Sequence, residues 1–126
     1  MSAPTVHRVN LAEAFATFDE RWSPRLAGAV NDCAVKIVKI EGDFIWHSHE
    51  REDEMFLVVR GSFTMRLRPP LRDIEVREGE FVVIPRGVEH CPSAAAECHI
   101  LLFEPASTLN TGGVVNERTR ADPPSV

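Results

Sequence analysis

The fold is predicted from one stretch above all, residues 42–61, with the sequence GDFIWHSHEREDEMFLVVRG. It contains two short apolar segments, 44–49 and 54–61, which are separated by a run of charged residues. On an extended strand, side chains two positions apart face the same way, so His47 and His49 share one face of the first segment. Their Cα atoms would lie roughly 6–7 Å apart at about 3.3 Å per residue, and two imidazoles at that separation can converge on one ion.

Two further residues complete a candidate metal site. Glu54 opens the second segment and can reach across to the histidine pair from a neighbouring strand. His90 ends the stretch GEFVVIPRGVEH, residues 79–90, and closure of a barrel would bring it back on another strand. A single histidine on a strand is more often solvated or hydrogen-bonded than a ligand, so the prediction depends on the whole set. Three imidazoles and one carboxylate suit one divalent transition metal ion, whether Fe, Mn, Zn, Ni, Co or Cu.

The sequence around these stretches indicates an all-β fold. From residue 33 onward, short segments rich in Val, Ile and Phe follow one another and are separated by turns that contain Gly or Pro. The segments are 33–41, 44–49, 54–61, 62–68, 73–78, 80–85 and 98–105. Many short strands with regular turn signals are typical of a β-sandwich or a β-barrel.

The two ends of the chain differ from this strand-rich middle. Asn10 with a Glu three positions later is a helix-start signal, and apolar residues on one helical face predict a short helix over about 11–20. We therefore expect an N-terminal extension over 1–30 that contains the short helix, a barrel over 31–106 and a C-terminal tail over 107–126. The tail is polar and rich in Gly and Pro, so we expect it to cover an edge or a neighbouring subunit at first and then to fray.

Size and charge exclude several classes of protein. The 126 residues suit one domain, and the formal net charge of −5 argues against partners such as nucleic acid or an anionic membrane surface. The first residues do not resemble a signal peptide, and no apolar run approaches the ~20 residues of a membrane span, so we expect a cytoplasmic protein. The three cysteines are an odd number without a CxxC pair, which argues against a disulfide framework and a thiolate zinc site.

Taken together, the two stretches resemble the two motifs of the cupin superfamily. The resemblance extends over about residues 33–105, and the residues that carry it are Gly42, His47, His49, Glu54, Gly61, Gly79, Pro85, Gly87 and His90. The chain departs from the family pattern in having four residues, where five are commoner, between the first glycine and the first histidine. It also has Ala94 where the second motif often carries Asn. The chain is similar to the small single-domain bacterial cupins, many of which resemble the cupin-type mannose-6-phosphate isomerases.

The resemblance implies a jelly-roll barrel, also described as a double-stranded β-helix, which follows a short N-terminal helix and holds the metal inside its mouth. The implied metal ligands are His47, His49, Glu54 and His90. Cupins of this kind commonly pair through sheet edges and swapped N-terminal segments, so we expect a homodimer. Such a partner would also cover Trp22 and the apolar face of the helix.

Three classes of function agree with the sequence, because a fold does not fix an activity. The first is a metal-dependent enzyme acting on a small polar substrate, isomerase-like or dioxygenase-like, with the ion as a Lewis acid or an O₂ site. The second is a non-catalytic module that binds a small molecule or a metal. The third is a barrel in which the metal only stabilises the fold. The sequence identifies no catalytic residue, and the lack of tyrosine removes one common acid–base candidate.

Four more residues are candidates for the lining of a pocket. Phe56 and Val58 have the same strand parity as Glu54, which predicts an apolar pocket better suited to a small ligand than to a highly phosphorylated one. His99 and Arg66 each have two interpretations. Facing inward, His99 could support the site or act as a base, and Arg66 could bind a carboxylate or a phosphate. Facing outward, both would be surface groups.

Overall fold

The structure, a computed structural model, describes residues 3–126. Within that range the elements are α1 (Leu11–Phe15), β1 (Arg25–Val30), β2 (Cys33–Asp43), β3 (Glu54–Arg60), β4 (Ser62–Leu67), β5 (Ile74–Arg77), β6 (Phe81–Ile84) and β7 (His90–Pro105). All pairs of these strands are antiparallel, which confirms the all-β prediction. No helix of the described chain has the length and apolar character needed to cross a bilayer.

The long strand β7 organises the sheet. β2 pairs with β7 along most of its length, while β4 pairs with its first residues and β3 pairs with its later ones. β1 extends the sheet beyond β2, β6 pairs with β3, and β5 pairs with β4. Because β7 has 16 residues and contacts three strands, it joins both halves of the chain in one sheet that curls into a barrel.

Alternate side chains of the strands fill the interior of the barrel. In β3 the buried positions are Glu54, Phe56 and Val58, as expected for a strand with one face inside. The apolar core consists of Val38, Ile40, Phe56, Val58, Phe63, Met65, Leu67, Val76, Ile84, Ala94, Cys98, Ile100 and Leu102. Glu54 therefore lies on the same inward face as the core, although its side chain is charged.

The helix α1 begins where the sequence predicts and ends at Phe15 rather than near residue 20. The side chain of Asn10 accepts a hydrogen bond from the N–H of Glu13 at 2.9 Å, which is the expected cap. The hydroxyl of Thr17 donates to the carbonyl of Ala14 at 2.7 Å. Side-chain bonds of this kind compete with the helical backbone pattern, so the helix ends early.

The apolar face of α1 is covered by the chain's own sheet. Ala14, Phe15 and Phe18 pack against Ile37 on the outer face of β2. Lys39, also on that face, donates to the carbonyl of Phe18. This corrects the argument that the helix needs a partner subunit to cover it, and the homodimer stays a prediction.

Two segments differ from the predicted boundaries. Residues 25–30, which the sequence analysis places in the N-terminal extension, form β1 and pair with β2. Residues 44–49, predicted as a strand, are irregular and meet the start of β7 at an isolated bridge between His47 and His90. The reason is that the register with β7 shifts between the bond from Phe44 N–H to the carbonyl of Pro92 and the His47–His90 bridge, which interrupts the ladder.

The C-terminal tail packs against the barrel. Its residues Thr108 and Thr111 are buried, with exposed fractions of 4% and 0%. At the far end, the N–H of Val126 donates to the carbonyl of Leu26 at 3.0 Å, and the N–H of Leu26 donates to the carbonyl of Pro124 at 2.8 Å. The tail covers an edge, which is one of the two predicted positions, and its last residues are hydrogen-bonded to β1.

Candidate metal centre

His47 and His90 lie opposite each other because their backbones pair. The N–H of each residue donates to the carbonyl of the other, at 3.1 and 2.9 Å. Residues that exchange both hydrogen bonds in this way have Cα atoms about 5.5 Å apart, and the centroids of the two imidazole rings lie 4.3 Å apart. The bridge therefore brings together two candidate ligands that are distant in the sequence.

His49 is fixed by the loop that precedes β7. The N–H of Gly87 donates to the carbonyl of His49 at 2.7 Å. In the same loop, the backbone N–H of Arg86 donates to the carboxylate of Asp53 at 2.9 Å. Hydrogen bonds from the backbone and then the side chain of Arg86 lower the pKa of Asp53 below its usual value. The loop thus connects the two sequence stretches that carry the candidate ligands.

Glu54 completes the cluster as the first residue of β3. Its Oε1 lies 3.1 Å from Nε2 of His49 and 3.3 Å from Nε2 of His90. The ligand atoms of these three residues and of His47 all lie within 4.8 Å of one another. The four side chains are buried, with exposed fractions of 4% or less. The structure therefore brings together all four ligands predicted from the sequence.

Backbone carbonyls fix the orientation of two of the rings. Nδ1 of His47 lies 2.9 Å from the carbonyl oxygen of Ile45, and Nδ1 of His90 lies 2.9 Å from that of Val88. A carbonyl can only accept, so in each neutral ring the proton is assigned to Nδ1 and the lone pair to Nε2. Nε2 of His90 and Oε1 of Glu54 then face each other with lone pairs, an arrangement that a cation between them would stabilise.

The charge states suit a metal site. Burial, and then the nearby His90, lower the pKa of His47 to about 4, so its imidazole is neutral at pH values near 7. Burial by itself raises the pKa of Glu54, but its contacts with His49 and His90 lower it more, and the net pKa lies below the usual value. Neutral imidazoles and an ionised carboxylate are the forms that bind metals.

A metal ion would satisfy atoms that the protein leaves without partners. Nε2 of His49, Nε2 of His90 and Oε1 of Glu54 are buried, and none has a hydrogen-bond partner among residues 3–126. One such atom costs about 1–3 kcal/mol, so a group of them at one place indicates a bound species. Imidazole and carboxylate ligands lie about 2.0–2.2 Å from an ion, which places neighbouring ligand atoms about 3 Å apart. The separations of 3.1 and 3.3 Å agree with a first-row divalent ion.

A buried lysine–glutamate pair next to Glu54 was missed by the sequence analysis. The β3–β7 register pairs Met55 with Phe103, which places Glu104 opposite Glu54. The carboxylate of Glu104 accepts a hydrogen bond from Nζ of Lys36 at 2.9 Å. Burial, and then the charge of Glu54, raise the pKa of Glu104 well above its usual value, so Glu54 is the carboxyl group that stays ionised. The available signal was strand parity, because Glu104 occurs in phase with the inward residues of β7.

A small cavity lies beside the histidines. It has a volume of about 40 Å³, which is room for a few water molecules. Its polar lining residues are His47, Glu54 and Asn110. The other lining residues are Trp22, Pro24, Val38, Ile40, Phe44, Phe56, Pro92, Ile100 and Leu102. Trp22 comes from the N-terminal extension and Asn110 from the tail, and no sequence pattern links either of them to the site.

The predicted pocket residues on β3 have different positions. Phe56 lines the cavity, as predicted. Val58 faces the interior but lies within the packed core, outside the set of residues that line the cavity. The parity argument therefore identifies the inward face of β3 without showing where the core ends and the cavity begins.

Arg66 and His99 lie on outer surfaces of the barrel, which corrects their assignment to the pocket. Arg66 alternates with inward residues of β4, and its guanidinium carbon lies 5.4 Å from the ring centroid of Trp46. His99 stacks on Phe15 of the N-terminal segment with ring centroids 4.4 Å apart. The residue before His99, Cys98, points inward and is fully buried. The outward interpretation therefore holds for both residues.

Comparison with known proteins identifies relatives of this barrel. The family model described as "Cupin domain" matches residues 35–103. The crystal structure of a cupin-2 domain containing protein from Shewanella frigidimarina is 42% identical, with a TM-score of 0.74, and the match covers 77% of this chain and 93% of that chain. The protein NMB1881 from Neisseria meningitidis is 28% identical, with a TM-score of 0.72 and coverages of 79% and 99%.

A curated relative matches over a shorter length. The uncharacterized protein YdbB of Bacillus subtilis is 28% identical over 61 residues, which is 48% of this chain. The match spans 53% of that relative, or about half its length.

Proposed function

Because the chain belongs to the cupin domain family, we propose that it is a metal-dependent enzyme that acts on a small polar substrate. The observation that carries the proposal is a group of buried ligand atoms without partners, next to a cavity. The proposed ligands of one divalent transition metal ion, which is Fe, Mn, Zn, Ni, Co or Cu, are His47, His49, Glu54 and His90.

The bound ion would supply a Lewis acid for isomerase-like chemistry or an O₂ site for dioxygenase-like chemistry. The role of the protein itself is to hold the metal ligands in place and to shape the cavity. The carbonyls of Ile45 and Val88 orient the rings of His47 and His90 so that their lone pairs face the interior. The mostly apolar walls would accept a small apolar group of a substrate. We therefore infer a substrate with a polar end and a small apolar body.

A metal that only stabilises the fold agrees less well with this arrangement. His47 and Glu54 are members of the cluster and also line the cavity, so a bound ion would face an open space on one side. A structural ion would need no such access. The homodimer and the cytoplasmic location, by contrast, are expectations that the proposed site does not require.

A non-catalytic binding module is the second candidate. Among the described residues that line the cavity, His47 and Glu54 are the ionisable ones, and both are proposed metal ligands. The cavity thus offers little for proton transfer other than the metal and its ligands. A protein that only captures a small ligand needs no separate acid or base.

Elemental analysis of the protein purified without an affinity tag tests the metal site. We expect about one transition metal ion per chain in the wild type, and we expect most of it to be lost in His49→Ala because an imidazole ligand is removed. His99→Ala is the matched control, since His99 lies on the outer face of β7. Equal metal content in His49→Ala and the wild type would contradict the site.

The same preparation separates the two candidate functions. The metal-loaded protein is incubated with a panel of small polar compounds while O₂ uptake and product formation are followed. Turnover with O₂ uptake supports the dioxygenase-like enzyme, and turnover without it supports the isomerase-like enzyme. Saturable binding of a compound without turnover would support the binding module instead.

A further inference from the structure

The segment after β7, residues 106–113, contacts the candidate metal centre at two points. The segment is itself well fixed, because the N–H of Ala106 donates to the carbonyl of Asp32 at 2.9 Å. The N–H and the hydroxyl of Thr108 both donate to the carbonyl of Pro105, at 3.0 and 2.7 Å. These bonds form a turn that directs the segment back over the barrel.

The first contact is made through the side chain of Lys36. Its Nζ donates to the carbonyl of Thr108 at 3.2 Å and to the carboxylate of Glu104 at 2.9 Å. Glu104 lies opposite Glu54 across the β3–β7 register. Lys36, Glu104 and Glu54 are buried, with exposed fractions of 6%, 2% and 3%. The segment is therefore joined through Lys36 to Glu104, whose backbone position is opposite that of the proposed metal ligand Glu54.

The second contact is a close approach of backbones at Gly112. The N–H of Gly113 donates to the carbonyl of Ser48 at 3.3 Å, and Ser48 stands between the ligands His47 and His49. A Cβ on Gly112 would collide with the carbonyl oxygen of Ser48 and would lie 3.3 Å from Cδ2 of His47. Gly112 also has a φ of +61°, which L side chains rarely adopt. A glycine is thus required where the segment covers the histidines.

The ligand-bearing stretch needs such support. Residues 44–49 do not form a regular strand, and their backbone bonds to β7 are a bond from Phe44 to Pro92 and an isolated bridge at His47. A stretch without a full ladder of hydrogen bonds is held by what packs on it. Groups that orient metal ligands in this way typically change metal affinity by about 10–100-fold when they are altered.

We propose that residues 106–113 form a C-terminal brace that positions the metal centre, with Gly112 and Lys36 as its positioning residues. The brace holds the His47–His49 stretch from outside through Gly112, and through Lys36 it fixes Glu104 on the strand next to Glu54. The inference rests on the proposed metal site and adds to it the part of the chain that completes the site.

Cobalt(II) binding to the full-length, metal-free protein tests the brace with two neighbouring glycines. In Gly112→Ala we expect the Kd for Co²⁺ to rise by about 10-fold or more, with a changed visible absorption spectrum of the bound ion because the ligand geometry is altered. Gly113→Ala is the matched control, since a Cβ there meets nothing within 4 Å and its N–H is retained. We expect wild-type affinity and spectrum in this control.

The outcomes separate the brace from the metal site itself. Wild-type Kd and spectrum in a folded Gly112→Ala would overturn the brace while leaving the proposed function in place. No Co²⁺ binding by the wild type would instead overturn the proposed metal site. If circular dichroism shows that Gly112→Ala is unfolded, Lys36→Met is the second test, because it removes the contact between Lys36 and the carbonyl of Thr108. A folded Lys36→Met should then show a similar loss of affinity, and an unchanged Kd would overturn the brace.

Discussion

The barrel buries two groups of ionisable side chains next to each other, and the groups are satisfied in different ways. The first, the histidine cluster, consists of His47, His49, Glu54 and His90. The second, the lysine–glutamate pair, consists of Lys36 and Glu104. The cluster keeps three buried ligand atoms without partners in the described chain, and the pair keeps one, Oε1 of Glu104. In the pair, Lys36 donates both to Glu104 and to the carbonyl of Thr108.

The difference shows how a buried polar group can be assigned to function or to support. Unpartnered atoms that converge on one point need a species from outside the chain, and an ion of the right size completes them. A lysine held by a carboxylate and a carbonyl is already satisfied by the chain itself. We therefore expect the cluster to bind a metal ion, and we expect substitutions in the pair to lower the free energy of unfolding.

The largest expected change in stability comes from breaking the lysine–glutamate pair on one side. Glu104→Leu leaves the ammonium group of Lys36 buried, with the carbonyl of Thr108 as its remaining partner. Removing the hydrogen-bond partner of a buried charged group costs about 3 kcal/mol or more, because less then offsets the desolvation of the ammonium group. Urea unfolding of the metal-free variant and of the metal-free wild type measures this difference.

The double variant Lys36→Met with Glu104→Leu is the control for that prediction. Replacing both members by apolar side chains of similar volume is often neutral, so most of the lost stability should return. A double variant as unstable as Glu104→Leu alone would show that packing, rather than the unpaired charge, causes the loss.

Sequence patterns predicted the histidine cluster but not the pair, and the reason is physical. The ligand types and their spacing identify His47, His49, Glu54 and His90 even though residues 44–49 do not form the expected strand. Lysine and glutamate carry no such signature, because both are usually exposed.

Burial on both faces of β2 explains why the sequence analysis missed its buried lysines. In β2 the positions from Lys36 to Ile40 are all buried, since the barrel interior lies on one side and the N-terminal segment packs on the other. Alternation distinguishes two faces of a strand, but it does not show that an outer face is covered. For the same reason, parity left the direction of His99 open, whereas Arg66 alternates with the inward residues of β4.

Changes in pH should affect the two groups in opposite directions. The pKa of His47 is lowered from 6.5 to about 4, so the unfolded chain binds more protons between these values and stability falls as pH falls. The raised pKa of Glu104 acts the other way, since its contribution is lost as pH rises. A shift of this size at His47 corresponds to about 3 kcal/mol.

Comparison with His47→Gln isolates the contribution of that histidine. Both proteins keep Glu104, so its opposite effect cancels in the difference between their unfolding free energies. As the pH is lowered from about 7 to about 4, the metal-free wild type should lose up to about 3 kcal/mol relative to His47→Gln. Parallel stability curves for the two proteins would contradict the neutral, buried state assigned to His47.

The smallest expected effect concerns Lys39, a second buried lysine on the same strand as Lys36. Lys39 is 7% exposed and lies on the outer face, where it donates to the carbonyl of Phe18 rather than to a carboxylate. Lys39→Met keeps the apolar stem and leaves no unpaired charge behind, so urea unfolding should show a loss of about 1 kcal/mol or less. Lys36→Met leaves Glu104 without its partner and should cost more. Equal losses in the two variants would mean that Glu104 stabilises Lys36 no more than the carbonyl of Phe18 stabilises Lys39.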